Sequence, residues 1–434
     1  MAITKKAPSF GTLPELPQDP PLPMRGLVSR QEARDGFADR GLPTTRQEEW
    51  KYTRLSALAV LELGLPESSL PHMSLPTIPQ RQNDGWPTLV FLNGVYREDL
   101  SQLDDLAGGV SAGNLAGSAP EGLGGIAAWD ETALSSLNAA YGVDGARIQV
   151  APGFRSSKPV RVVWLGAQGA QPTLVSPRLY VSLGINSELT LVEEFIGEGG
   201  IYHTNAVAEV SLGSGASLEH VRVENESLEA FHTTRIDVHQ ARDSRYANYY
   251  VSAGGRLVRS DVRVTLAEPG AEALLNGLYI GSGERHVDTH TTVDHAAAHC
   301  ASTELYKGVL GQRARGVFNG RVLVREDSQK TDARQHNLNL LLSPDARVHT
   351  KPELEIYADD VKCAHGATVG QLDQQARFYL RSRGLGLDQA TQLLTYGFAS
   401  DVLDSIPVEG LGKSLAMELF PEFFGMDETP DFLI

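Results

Sequence analysis

The feature that most constrains this chain is a repeat. Short β-rich runs recur so that Leu189, Leu218, Tyr246, Leu274, Ser302, Ala333 and Ala364 occupy comparable places, at spacings of 29, 28, 28, 28, 31 and 31 residues. A period of this size marks a solenoid, because one coil cannot bury its apolar face alone and must stack on its neighbours. With strands and turns rather than helices in each unit, the spacing predicts a β-helix. A β-sandwich, whose strands also recur every 8 to 12 residues or so, is the alternative.

The repeat sits between regions of other character. Residues Ala7–Pro23 hold prolines at 8, 14, 17, 20, 21 and 23, which blocks helices and sheet ladders alike, so 1–28 reads as an extended arm. Residues 29–145 read as a helical N-terminal region: a helix over Ser29–Arg40, a capping box at Thr45-Arg46-Gln47-Glu48 opening a short helix with Trp50 and Tyr52, and a helix from an Asp130 cap to Tyr141, stopped by Gly142. Trp50 and Tyr52 are expected to pack the N-terminal helices. From about Ala146 the period becomes that of strands, as in Val160–Trp164, Arg178–Leu183 and Glu188–Val192, giving a β-helix core over 146–371. Helical signals return over 372–434, in three helices expected to cap one end of the solenoid.

Composition narrows the function. The 434 residues carry 38 Lys+Arg against 54 Asp+Glu, a formal charge of −16, which argues against a phosphate-neutralising surface and hence against nucleic-acid partners. The most apolar window, Leu55–Leu65, is interrupted by Glu62 and is far shorter than the roughly 20 residues of a membrane span, and residues 1–6 lead into prolines rather than a signal-peptide core. A soluble, cytoplasmic protein is expected. Cys300 and Cys363 are too few for a disulfide framework, so their chemistry would be redox or metal chemistry.

Few catalytic motifs qualify. Gly412-Lys413-Ser414 ends like a phosphate loop, but the required upstream glycine is Pro407 and no strand leads in. The Gly-x-Ser-x-Gly pattern is expected nowhere in the chain, and with it no serine-hydrolase elbow. His286, Asp288 and His290 share one face of a strand, with Asp294, His295, His299 and Cys300 following; this is either a metal site or the polar outer face of a coil. Cys363 and His365 also share a face, and thiolate plus imidazole suits iron, with Lys362 expected to lower the thiol pKa. Two ligands alone do not make a closed site, so the pair is either a buried Cys with a hydrogen-bonded His or an open, half-built site at an interface.

The stretch Lys351-Pro352-Glu353-Leu354-Glu355-Ile356-Tyr357-Ala358-Asp359-Asp360-Val361-Lys362-Cys363-Ala364-His365-Gly366-Ala367-Thr368-Val369-Gly370, with Phe378–Gly384, closely resembles the SufB/SufD family of iron–sulfur cluster assembly proteins. Gly316-Val317-Phe318-Asn319-Gly320, Lys330-Thr331-Asp332, His286-Val287-Asp288-Thr289 and Glu49-Trp50-Lys51-Tyr52-Thr53 extend the resemblance from about residue 45 to about 405. Ala364 and Gly366 stand where SufB-like chains carry acidic residues, and Asn337 where they carry a cysteine, so the likeness is to the SufD branch.

The resemblance implies a right-handed parallel β-helix between helical terminal regions. It implies a non-enzymatic scaffold that pairs with a SufB-like subunit, or with its own copy, and holds a SufC-like ABC ATPase through the C-terminal helices. ATP would be spent by that partner, whose motion would pass through residues 372–404 to the SufB–SufD interface. No cofactor would be tightly bound; iron or a nascent iron–sulfur cluster would pass through that interface, touching His365 first and Cys363 second. The alternatives are a SufB-like chain that builds the cluster itself and a β-helix carbohydrate-active enzyme. The latter needs paired carboxylates, whereas Asp359 and Asp360 are adjacent and face opposite ways on a strand.

Overall fold

The computed structural model describes residues 10–19, 21–66, 75–81, 85–167 and 171–425, so the first nine residues of the proline-rich arm, Pro20 and the last nine residues of the chain lie outside it. The chain is mainly β, a parallel β-solenoid of about eight turns with helices towards both termini. Two ten-stranded sheets form its walls. Sheet I runs from Val95–Tyr96 to Lys362–Gly370 and sheet II from Val110–Asn114 to Arg347–Ile356, and the chain alternates between them so that each strand pairs in parallel with its counterpart one coil away.

The repeat is real, with a one-residue correction at two positions. Register pairs Leu189, Leu218, Tyr246, Ala273, Ser302, Ala333 and Cys363 in one column. Ala273 and Cys363 thus replace Leu274 and Ala364, because coil corners differ in length and strand spacing absorbs the difference. The shift matters, since a one-residue slip turns a side chain to the other face of the sheet. Inward positions along these columns form the main apolar core, including Leu191, Val210, Ile236, Val262 and Phe318.

The corners leading into sheet I carry the same period. Asn186, Gly215, Asp243, Gly270, His299 and Lys330 all have positive φ, between 53° and 80°. A left-handed residue reverses the chain here without a wide loop, and Asn, Asp or Gly fills most of these corners for the steric reason that favours them there.

The two ends of the solenoid differ. At the N-terminal end, Thr88–Leu92 extends sheet I in parallel with Val160–Leu165, and the two-residue strand Val95–Tyr96 closes it antiparallel; Val110–Asn114 closes sheet II antiparallel to Gly145–Val150. These strands precede Ala146, so the sheets begin within the N-terminal region. Helix α1 (Arg30–Arg40, N-cap Ser29), the single turn α2 (Ser56–Ala59) and α3 (Ala133–Tyr141) cover this end. Buried Arg30 ties α1 to α3 by donating to the carbonyls of Ala140 and Gly142, each at 2.8 Å, where a cation also suits the helix C-terminus. The cap of α3 is Thr132 rather than Asp130: its hydroxyl accepts from Ser135 N at 3.0 Å. The expected capping box at Thr45 is instead a 3₁₀ turn over Glu48–Trp50 without a side-chain cap.

The C-terminal helices α4 (Gln374–Ser382), α5 (Leu387–Leu403) and α6 (Leu411–Phe424) do not cap the solenoid as expected. Helices α5 and α6 lie on the outer face of sheet I, where Val402, Leu415 and Leu419 join Val221, Tyr249 and Leu278 in one apolar cluster. That face is apolar in strands 217–225, 245–252 and 272–281, and only helices laid flat can cover it. Lys307 fixes the docking by donating to Asp401 Oδ2 at 2.5 Å and to the Phe398 carbonyl at 2.7 Å.

Candidate functional site

With its helices on the flank, the C-terminal end of the solenoid is left open by the described residues. Lys362–Gly370 pairs on one side only, with Asp332–Leu341, and Arg347–Ile356 pairs only with Arg315–Val324. Both are long strands, unlike the blunt antiparallel strands at the other end. Exposed apolar side chains follow them in the chain: Tyr357 is 63% exposed, Phe378 73% and Tyr379 56%, and α4 buries no residue. Long unpaired apolar edges pair with other strands unless something covers them.

The sequence-expected pair lies on this edge. Cys363 stacks on Ala333 and His365 on Gln335, both buried in the interior, so each continues an inward row. His365 is exposed because, among the described residues, no coil lies above it. Cys363 is half-buried against Val322, Val324, Ala333 and Ala358. Burial pushes its thiol pKa up, the Ala333 backbone hydrogen bond only partly offsets this, and Asp332 adds to the rise. The expected lowering by Lys362 is therefore overturned: desolvation of the thiolate dominates. What this edge offers a metal is an exposed imidazole beside a thiol that holds its proton.

Sequence reasoning missed the groups beneath. Gln335 Nε2 donates to Glu304 Oε1 at 3.1 Å, while its own Oε1 is buried without a partner among the described residues. Thr291 Oγ1 donates to Glu304 Oε2 at 2.6 Å, and burial pushes that carboxyl up to about 7 despite both hydrogen bonds. The signal was Glu, then Gln, then His recurring at one inward position of three successive coils, which becomes readable only once register is known.

The histidine group at 286–299 separates. His286, Asp288 and His290 do share an outer face, but the Glu49–Thr53 segment covers them. Asp288 Oδ2 accepts from Thr53 Oγ1 at 2.5 Å and from Arg259 Nη1 at 2.7 Å. His290 Nε2 lies 3.0 Å from Asp288 and its Nδ1 3.4 Å from Glu49, and His286 Nε2 is 2.8 Å from Thr53 Oγ1. Burial opposes the His290 imidazolium, yet Asp288, with help from Glu49, lifts its pKa to about 9. Burial would likewise raise Asp288, but Arg259 and His290 hold it far below the carboxylate range. This is a buried ion cluster that clamps the N-terminal segment to the solenoid, and it accounts for the outer-face reading over the metal reading. Trp50 reaches the N-terminal cluster and also stacks on Arg259 at 4.0 Å, whereas Tyr52 leaves the helices to stack on His349 at 4.2 Å. His295 points inward to Ser302 Oγ at 2.9 Å, His299 is a corner residue, and Cys300 is buried with its thiol pKa pushed up by burial.

Two motif fragments have packing explanations. A Cβ on Gly412 would stand 2.1 Å from the Leu403 carbonyl oxygen, so this glycine serves the close approach of α6 to α5. Gly109-Val110-Ser111-Ala112-Gly113 does carry the serine-hydrolase spacing, but Ser111 lies on an antiparallel strand and accepts from Arg147 Nη1 at 2.9 Å, with no strand-to-helix elbow. No helix among the described residues is long and apolar enough to cross a membrane.

Comparison with known proteins agrees with this architecture. Residues 165–398 match the SufBD core domain of the SUF system for FeS cluster assembly, and residues 27–162 match the SufBD protein N-terminal region. An iron–sulfur cluster assembly SufBD family protein of Synechocystis is 34% identical over 406 residues, 88% of each chain. The iron–sulfur cluster assembly protein SufD of Escherichia coli is 31% identical over 384 residues, 86% of this chain and 88% of the relative. That of Bacillus subtilis is 28% identical over 293 residues, 66% of each chain.

Proposed function

Because the chain belongs to the SufBD family and has a role in SUF iron–sulfur cluster assembly, we propose that it is the SufD-type scaffold subunit, which joins a SufB-like subunit through the open end of its solenoid. The observation that carries this reading is the pair of full-length, one-sided strands Arg347–Ile356 and Lys362–Gly370 with His365 on the edge. Main-chain donors and acceptors there can continue into a partner's strands. Iron or a nascent cluster is the cargo at that junction. His365 supplies an exposed imidazole, and Cys363, whose thiol must first lose its proton, is auxiliary. A weak, exposed imidazole suits a scaffold that must release what it holds.

The chain itself is non-catalytic in this reading. A SufC-like ABC ATPase binds the C-terminal helices, where α4 leaves Phe378 and Tyr379 uncovered between the open edge and the docked α5. The complex works in the cytoplasm. The test is to co-express the chain with SufB-like and SufC-like partners and measure the mass of the native complex. A three-protein complex lost on charging the edge, as in Val369→Lys, supports the reading. A stable homodimer that ignores both partners would replace it with the self-paired arrangement.

A further inference from the structure

Well away from the open end, a second group of potential ligands lies inside the solenoid. Glu224, Glu226 and His232 each place one ligand atom within 4.8 Å of the others. All three are buried, at 1%, 3% and 1% exposure. Glu224 lies on Ser217–Asn225, five strands from Lys362–Gly370 in sheet I, Glu226 lies in the turn that follows it, and His232 lies on Phe231–Gln240 of sheet II.

Each is held from behind by a hydroxyl. Ser252 Oγ donates to Glu224 Oε2 at 2.7 Å, Thr204 Oγ1 donates to Glu226 Oε1 at 2.7 Å, and Thr234 Oγ1 meets His232 Nε2. His232 Nδ1 and Glu226 Oε2 pair with each other at 2.6 Å, and Glu224 Oε1 receives only a long 3.4 Å contact from the Glu226 amide, so the three atoms converge and an ion could replace the proton between imidazole and carboxylate. Outer groups that fix the far atom of each ligand are a regular feature of metal centres.

The surroundings also lack something. The Tyr250 hydroxyl is buried near both carboxyls and lacks a hydrogen-bond partner of good geometry among the described residues. Two buried carboxyls face one imidazole, with the Arg285 charge also reaching Glu224. Buried carboxylates are costly, and one divalent ion would balance the two negative charges.

We propose that Glu224, Glu226 and His232 form an interior site for a divalent first-row transition-metal ion. Two carboxylate oxygens and an imidazole suit such an ion, with positions left for water or the Tyr250 hydroxyl. Bound there, it would tie strands Ser217–Asn225 and Phe231–Gln240 from opposite sheets, so binding would couple to stability.

The test uses the full chain, stripped of metal, with cobalt(II) as the probe. One sample is incubated with cobalt and one is unfolded and refolded in its presence. Expected in at least one sample are visible d–d absorption bands saturating near one equivalent and a raised Tm, both retained in His365→Ala/Cys363→Ala and lost in Glu224→Gln/Glu226→Gln. Those glutamines keep shape and remove buried charge; His232→Asn is the second variant should the pair fail to fold. Absence of bands in both samples, bands that survive the glutamine and asparagine variants, or bands lost with His365 and Cys363 would each overturn the site.

Discussion

His365 stands one coil above Gln335 in the same inward row, and Gln335 stands one coil above Glu304. The exposed imidazole is thus the last member of an interior column whose lower members are fully buried. Its backbone is held by a ladder on one side while its other side faces outward. That combination of fixed position and open coordination is what the proposed iron-carrying junction would need.

The first expected outcome follows directly. His365→Ala should leave the β-rich circular dichroism signal and partner binding intact while cluster assembly in cells falls sharply. Cys363→Ala should be milder, since that thiol is half-buried with its pKa raised and its main contacts are Val322, Val324 and Ala333. A stronger defect in the cysteine variant would reverse the ranking.

The proposed ATPase contact is best tested by point changes. Truncation after Gly386 would remove α5 and α6 and uncover Val221, Tyr249 and Leu278, so loss of binding would report misfolding. Phe378→Ala/Tyr379→Ala touches only exposed rings and should change stability by less than about 0.5 kcal/mol. If α4 is the docking helix, SufC-like ATPase affinity in a pull-down should drop roughly tenfold or more, as aromatic anchors usually dominate an interface.

Much of the fold was legible because repetition averages over local errors: seven strand positions at nearly constant spacing outvote any one ambiguous run. Register was not, since Ala273 and Cys363 differ from the neighbours first assigned by one residue, and corner length decides which faces inward. The Cys363–His365 pair was visible as a motif, but its place on an open edge depended on where the C-terminal helices dock. Interior polar groups such as Glu304 escaped notice because a glutamate in a strand ordinarily reads as solvent-facing.

Trp50→Ala removes a ring that is only half-buried but stacks on Arg259. The cost should be about 2–3 kcal/mol in urea unfolding, below a fully buried Trp, because packing is partial while a desolvated cation–π contact is added. Cluster assembly should recover at lower growth temperature. A variant of unchanged stability that cannot assemble clusters would give Trp50 a direct role.

The His290 clamp should make stability fall at alkaline pH. Its folded pKa, near 9, lies above the unfolded value of 6.5, so its contribution is complete below about 6.5 and is lost as pH rises through 9. The 2.5-unit difference corresponds to roughly 3 kcal/mol. His290→Gln should remove that slope between pH 6.5 and 9 in denaturant titrations. An unchanged slope would place the titration elsewhere.

Glu304 gives the opposite kind of test, because its folded pKa is raised to about 7 from 4.5 in an acid rather than a base. The folded chain keeps a proton that the unfolded chain releases, so stability is greatest below about 4.5, declines as pH rises, and the loss is complete above about 7. Glutamine cannot ionise. In Glu304→Gln its carbonyl can still accept from Gln335 Nε2 and its amide can donate to Thr291 Oγ1, so both buried partners stay satisfied. The variant should therefore match the parent near pH 4.5 and exceed it at pH 8 by up to roughly 3 kcal/mol in urea unfolding, while cluster assembly changes little if the column beneath His365 acts only as an uncharged floor. A Glu304→Gln chain that is less stable than the parent at pH 8 would mean that the carboxylate is ionised and paired there, and the floor beneath His365 would then be charged.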